Sequence, residues 1–267
     1  MKRALAPGSV LLQMYFKRRL RLLAVPDGTA YEIGAGDGTL SHLLLRRGMK
    51  VVAYDLNPAA CVKNRAMNQL YADSGKLKVM CEDFLQASPT EPAELILSSM
   101  VVEHLSADSV HNFFVKAKSL LTPTGAICTF VPGSPRHWGI EDEIAGHFKR
   151  YTFECFSDIA RTMDLEIRDI AGLTYPLSNL LLGTSNYLVR RSEAGKLQLT
   201  VQERTIASGN RNVPLKTTFP GWLRWVVNEI TLYPFYLLQC CARHHPSSLL
   251  IYCEMIPTPS DSTNHNN

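Results

Sequence analysis

Between residues 29 and 132 the chain alternates strand-length apolar runs with helix-length stretches, and no other feature restricts its fold so strongly. The runs are TAYEIGA (29–35), KVVAYDL (50–56), LKVMCED (77–83), ELILSSM (94–100) and AICTFVP (126–132). Helices are expected near 39–47, 58–72 and 107–121, the last capped by Ser106 and stopped before Pro123 and Gly125. Such alternation is the pattern of a parallel sheet covered on both faces, an α/β fold. A helix near 152–163, a strand at LEIRDIAG (165–172) and a closing run at LLIYCEM (249–255) continue it. Residues 174–248 lie between the last two strands and are too many for a plain connection, so a helical insertion or lid is expected there. The expected organisation is an amphipathic basic helix over 1–26, a core over 27–173, the insertion over 174–248, a closing strand over 249–256 and a disordered polar tail over 257–267.

Composition narrows the setting. A hydrophobic content of 46% supports a large core. Seven cysteines form no CxxC pair, and an odd number fits a reducing cytoplasm better than a secreted disulfide framework. The net charge of +4 is uneven, because the first 26 residues carry Lys2, Arg3, Lys17, Arg18, Arg19 and Arg21 and no acid. That asymmetry suits a solvated helix face, or peripheral contact with the inner face of a membrane. A span is not expected, since GWLRWVVNEITLYPFYLLQCC is broken by Arg224, Asn228, Glu229 and Pro234. No basic motif interleaved with aromatics points to nucleic acid.

The turn after the first strand, YEIGAGDGTL (31–40), carries glycines at 34, 36 and 38. Glycine there lets the backbone approach a ligand closely and accept positive φ. Gly38 stands one residue too early for the third glycine of a dinucleotide fingerprint, whose place Thr39 takes, and no Gly-Lys-Ser/Thr follows to make a P-loop. A carboxylate at Glu32, two residues before Gly34, suits a ligand bearing an ammonium and a sulfonium better than a pyrophosphate.

This acid followed by G-x-G-x-G resembles the first motif of the class I S-adenosylmethionine-dependent methyltransferases. The resemblance covers about residues 28–172 plus the closing strand, and implies a Rossmann-like, doubly wound, seven-stranded sheet whose last strand is antiparallel. It implies S-adenosylmethionine as cofactor and S-adenosylhomocysteine as product. Glu32, Gly34, Ala35, Gly36 and Gly38 would form the loop, Asp55 would take the ribose hydroxyls with Leu56 beside it, and Asp83 and Phe84 would meet the adenine. Ser99, at the end of the fourth strand, completes the expected cofactor set. An N-terminal helix commonly closes over the cofactor in this family, which would bring Tyr15 or Arg18 to its carboxylate.

The acceptor is expected beyond the fourth strand, at ILSSMVVEHL (96–105). Glu103 and His104 resemble part of the E-x-x-E-H segment with which some relatives hold a divalent cation, but Met100 replaces the first Glu, so no metal is expected. His104 is a candidate general base. The later segment GHFKRYT (146–152) resembles one found in bacterial methyltransferases of small molecules and lipid-linked glycans. It makes His147 a second candidate, with Trp138, Glu141 and Asp142 in the same loop as substrate contacts.

The resulting expectation is methyl transfer from S-adenosylmethionine to a small or lipid-like acceptor, on oxygen. A non-catalytic cofactor-binding scaffold and an NAD(P)-dependent oxidoreductase are the alternatives. Thr39 and the lack of a Tyr-x-x-x-Lys pair weigh against the oxidoreductase.

Overall fold

A computed structural model describes residues 4–23, 28–200, 203–205, 213–216 and 219–258. The basic residues Lys2 and Arg3 and most of the expected tail lie outside them. The strands are β1 (Thr29–Ile33), β2 (Lys50–Tyr54), β3 (Leu77–Met80), β4 (Ala93–Ser99), β5 (Leu121–Pro132), β6 (Leu165–Leu173) and β7 (Leu250–Pro257). They form one seven-stranded sheet in the order β3-β2-β1-β4-β5-β7-β6. β7 runs antiparallel to both β5 and β6, and the pairs among β1 to β5 are parallel. This is the α/β sheet expected from the strand–helix alternation, with the seven strands and antiparallel last strand that the resemblance implies.

The helices are α1 (Pro7–Leu22), α2 (Thr39–Arg46), α3 (Pro58–Met67), α4 (Gln69–Asp73), α5 (Ala107–Leu120), α6 (Ile140–Ala145), α7 (Phe153–Met163), α8 (Leu177–Glu193) and α9 (Tyr233–Cys241). One face of the sheet packs against α1, α2 and α9 through Leu11, Phe16, Leu44 and Tyr236. The other packs against α5 and α7 through Phe113, Phe114 and Phe156. Coverage on both faces explains why the central strands read as continuous apolar runs: Leu95, Ile96, Leu97, Ile127 and Cys128 are fully buried.

Two boundaries differ from expectation. The helix expected over 58–72 breaks at Asn68, whose backbone leaves the helical region at φ −114° and ψ 28°. The break frees the Asn68 amide to donate to the Gly38 carbonyl (3.1 Å) and to Asn64 Oδ1 (3.0 Å), tying this helix pair to the glycine turn. β5 starts at Leu121 rather than Ala126, because Leu121 already pairs with Ala93 before a register shift near Leu95.

Residues 174–248 hold α8, α9 and short single turns at Ala194–Gln198 and Gly221–Trp225. Two side-chain bonds fasten the segment: Gln239 Oε1 accepts from the Thr174 amide (2.6 Å), and Asn179 donates to the Ser247 carbonyl (2.8 Å). Among the described residues no helix is long and apolar enough to cross a membrane.

Candidate functional site

The three turn glycines do different work. All have positive φ, but a Cβ on Gly34 would overlap Val101 Cγ2 and sit 2.8 Å from the Ser99 carbonyl, while one on Gly38 would overlap the Asn64 amide. These two are glycine because neighbouring chain presses on them. At Gly36 nothing lies within 4 Å of the Cβ position, so its backbone faces open space. The turn is pinned to β2 by the Gly34 and Ala35 amides, which both donate to the Tyr54 carbonyl (2.9 and 3.1 Å). Asp55, at the tip of β2, accepts from the Gly36 amide (2.8 Å) with one oxygen and from the Asn57 amide (2.8 Å) with the other. A carboxylate has about four lone-pair sites, so Asp55 keeps acceptor capacity beside the open backbone.

Glu32 is placed differently from expectation. It is buried beneath the turn and accepts from Ser41 Oγ, which in turn accepts from the Asn64 amide (3.0 Å). Burial pushes its carboxyl up to about 8, against the pull of the Ser41 bond and assisted by the charges of Asp37 and Asp55. Its carboxyl lies beneath the loop, not at its surface, and joins β1 to α2 under the glycines.

Beyond β3, Asp83 is half-buried and accepts from the Leu85 amide (2.9 Å), an Asx turn that shapes the chain there. Phe84 does not stand at the open edge: its ring is buried between Tyr54 (5.4 Å) and Phe113 (5.9 Å), with Lys116 Nζ 4.9 Å above it. Lys116 also donates to the Phe84, Leu85 and Ala87 carbonyls and draws this turn inward. Leu56, by contrast, is 49% exposed next to Asp55 and is the apolar surface available on this edge. Ser99 is half-buried, its carbonyl against Gly34. Tyr15 and Arg18 are not at this edge. Tyr15 is buried under α1 and donates to Asp169 on β6 (2.6 Å), and Arg18 bonds Tyr236 of α9.

One residue past β4, Met100 takes a left-handed φ of 56° and donates its amide to the Phe130 carbonyl (2.9 Å). That uncommon conformation turns the chain sharply into a short helical turn, Val102–His104. The segment 139–151 folds back onto this turn. Phe148 donates its amide to the Glu103 carbonyl (2.8 Å), and the buried Tyr151 hydroxyl donates to the Val102 carbonyl (3.1 Å). His104 and His147 thereby meet edge to face, ring centres 4.7 Å apart.

Asp142 organises the contact. It is fully buried, and it accepts from His147 Nδ1 (2.9 Å), Arg150 Nε (2.8 Å) and the Gly139 amide (2.9 Å). Burial alone would raise its carboxyl, but the bonds from His147 and Arg150 prevail and hold it below the ordinary range. Asp142 is thus a support and not the expected substrate contact, because its oxygens are committed inside. Glu141 pairs with Lys216 (3.1 Å), and Trp138 alone of that trio is well exposed.

Glu103 is fully buried, and both its oxygens find no hydrogen-bond partner among the described residues. Burial pushes its carboxyl up to about 8, and His147 Nε2 stands 4.0 Å from Oε1. Burial and the neighbouring His147 bring His104 down to about 4, so it is neutral at physiological pH. Donor atoms of Glu103, His104 and His147 lie within 4.8 Å of one another. Two imidazoles and one carboxyl do not fit a hard cation such as Mg²⁺, which needs oxygen ligands; a borderline metal such as Zn²⁺ is the kind this donor set could hold.

Sequence reasoning did not single out Glu103 as the buried partner of His147 or Asp142 as the hub. The available signal was the spacing in EDEIAGHFKR (141–150), an acid five residues before His147 and eight before Arg150, but it does not say that the loop closes on itself.

Comparison with known proteins bears on the fold. Residues 31–127 match the model of a methyltransferase domain. An uncharacterised methyltransferase of Geobacillus kaustophilus is 35% identical over 97 residues, which are 36% of this chain and 43% of that protein. The chain thus matches less than half the length of that relative. Among solved structures, the magnesium protoporphyrin IX methyltransferase of Synechocystis with bound S-adenosylhomocysteine superposes with a TM-score of 0.53 at 14% identity, over 62% of this chain and 77% of that one. The 1,6-didemethyltoxoflavin N1-methyltransferase of Burkholderia thailandensis, with its substrate and S-adenosylhomocysteine, gives 0.52 at 14% identity, over 63% and 73%. The chain has the fold of the class I S-adenosylmethionine-dependent methyltransferases, and residues 31–127 within it are similar to their methyltransferase domain.

Proposed function

We propose that this protein transfers a methyl group from S-adenosylmethionine to a hydroxyl of a small or lipid-like acceptor. The observation that carries this reading is the open backbone of Gly36 beside Asp55 at the carboxyl edge of the sheet, with the end of β4 pressed against Gly34. Ligands of doubly wound sheets bind outside this edge. The ribose hydroxyls would donate to Asp55, Leu56 would lie along the adenine, and Asp83 would accept from its amino group. The methyl group would then face the turn after Met100, where His104 and His147 meet.

In the reaction the acceptor oxygen forms a bond to the methyl carbon as the carbon–sulfur bond breaks, and the sulfur leaves as a neutral thioether. The acceptor proton passes to an imidazole or to water. Methyl donation from a sulfonium needs little activation, so alignment does most of the work; positioning alone supplies roughly 7–11 kcal/mol in favourable cases. With Asp142 ionised and able only to accept, Nδ1 of His147 must donate, and Nε2 carries the lone pair. His147 on this ground presents an accepting nitrogen for the acceptor proton, and the neutral His104 orients the acceptor. The small-molecule acceptors of the two solved relatives support an acceptor of that size.

A scaffold without chemistry would have no need of the buried His147–Asp142 pair beside Glu103 and His104. The test is incubation with isotopically methyl-labelled S-adenosylmethionine and a panel of phenols, alcohols, carboxylates and amines. Label in a hydroxyl product supports the reading, and label confined to amines would move the target atom to nitrogen.

A further inference from the structure

The face formed by α1, α9 and the turn before α9 presents aromatic and aliphatic side chains to solvent. Trp222 is 63% exposed, Trp225 73%, Ile230 86% and Tyr233 53%. On α9 the exposed positions Tyr233, Leu237 and Cys241 follow each other at four-residue spacing, with Leu238 alongside, so one side of this helix is left uncovered among the described residues. Isolated exposed apolar residues are ordinary, but a run of this kind on adjacent elements marks a contact surface.

The two elements form one continuous face. Lys17 of α1 is ion-paired with Glu229, and Arg18 bonds Tyr236 of α9. The surrounding charge is of one sign. Residues 7–22 carry Lys17, Arg18, Arg19 and Arg21 with no acid, and residues 219–241 carry Arg224 and one acid, Glu229, which Lys17 already engages. Arg19 is turned inward onto Glu254 (2.9 and 3.0 Å). Arg18, Arg21 and Arg224 remain exposed around the aromatic residues, with Arg224 stacked on Trp225 (5.2 Å).

We propose that this face docks on a lipid bilayer rich in anionic headgroups. Trp and Tyr beside Arg form the residue set that settles at the boundary between headgroups and acyl chains, the aromatic rings in the apolar layer and the guanidinium groups on the phosphates. Among the described residues no helix is long and apolar enough to cross, so the contact is with the surface. A second copy of this chain is the poorer occupant. Two-fold pairing would set Arg18, Arg21 and Arg224 near their own counterparts with no spare acid to offset them.

The experiment is co-sedimentation of the full chain with phosphatidylcholine vesicles and with vesicles containing phosphatidylglycerol, without methyl donor, so the outcome is independent of the transfer reaction. Wild type is expected to bind the anionic vesicles at least about tenfold more tightly, with a blue shift in tryptophan emission. The exposed double variants Trp222→Ser/Trp225→Ser and Arg21→Glu/Arg224→Glu are each expected to lose about tenfold or more of that affinity, with melting temperatures unchanged. Three results overturn the proposal: no binding to anionic vesicles at low salt, equal binding by wild type and both variants, or a dimer dissolved by the tryptophan variant in a chain that ignores vesicles.

Discussion

His147 turns its Nδ1 atom to Asp142, 2.9 Å away, and so leaves Nε2 as the nitrogen facing Glu103, 4.0 Å from its Oε1. One buried carboxylate thus fixes both the tautomer and the direction of the imidazole. Asp142 sits on a six-residue helix whose amino end it also caps, through the Gly139 amide. This knot of bonds ties the loop that carries His147 to α6.

Removing the hub should cost stability as well as rate. Asp142→Ala leaves the Arg150 guanidinium, largely buried, without its carboxylate, and loss of one partner from such a pair costs about 3–5 kcal/mol. Urea unfolding should show a loss of that order. His147→Ala, which takes one bond from the buried Asp142, should lose about 1–3 kcal/mol, less than Asp142→Ala, yet turn over about 10²- to 10⁴-fold more slowly with unchanged cofactor affinity. A rate within twofold of wild type would remove His147 from the proton path.

The glycines can be separated by alanine. Gly36→Ala meets no neighbour and bears only the strain of a positive φ, about 1–2 kcal/mol, but it places a methyl group where the cofactor should lie. Gly38→Ala has the same backbone strain plus overlap with Asn64. Melting should rank Gly38→Ala well below Gly36→Ala, whereas Gly36→Ala should show the larger loss of S-adenosylmethionine affinity relative to its stability.

Stability should fall on the alkaline side. Glu32 and Glu103 are raised to about 8 in the folded protein, so their contribution is complete below the unfolded carboxyl range and is lost as pH rises through about 8. His104, lowered to about 4, adds stability that is full above about 6.5 and disappears as pH falls toward 4. Between pH 6.5 and 8 only the glutamates act, and the unfolding free energy should decline. Glu103→Gln should flatten that decline and be the more stable protein at pH 8, as urea titrations at several pH values would show.

Metal removal should not matter. With Met100 in place of a carboxylate, the Glu103, His104 and His147 set is not required to hold a hard cation, and dialysis against EDTA should leave methyl transfer unchanged. Rescue of an EDTA-treated sample by added Zn²⁺ would show that the three donors ligate after all.

Much of this was legible in the residues. The alternation of apolar runs dictates the sheet because buried parallel strands must be apolar on both faces, as Leu95, Ile96 and Leu97 are. The glycine turn was legible because its backbone demands glycine. What the pattern could not show was depth. Glu32 and Phe84 stand at positions that read as ligand contacts, yet one is closed off by Ser41 and the other by Tyr54 and Phe113, neighbours that only tertiary packing supplies. Tyr15 was likewise drawn away by Asp169, far along the chain. The closure of residues 139–151 over Glu103 depends on long-range hydrogen bonds that leave no periodic trace in the sequence.

The most direct test is calorimetric titration of S-adenosylmethionine, and separately of NAD, into wild type and Asp55→Ala. The account predicts saturable binding of S-adenosylmethionine to wild type, loss of that binding in Asp55→Ala with the fold retained, and no heat from NAD. Binding of NAD in preference to S-adenosylmethionine, or binding of S-adenosylmethionine that Asp55→Ala leaves untouched, would contradict it.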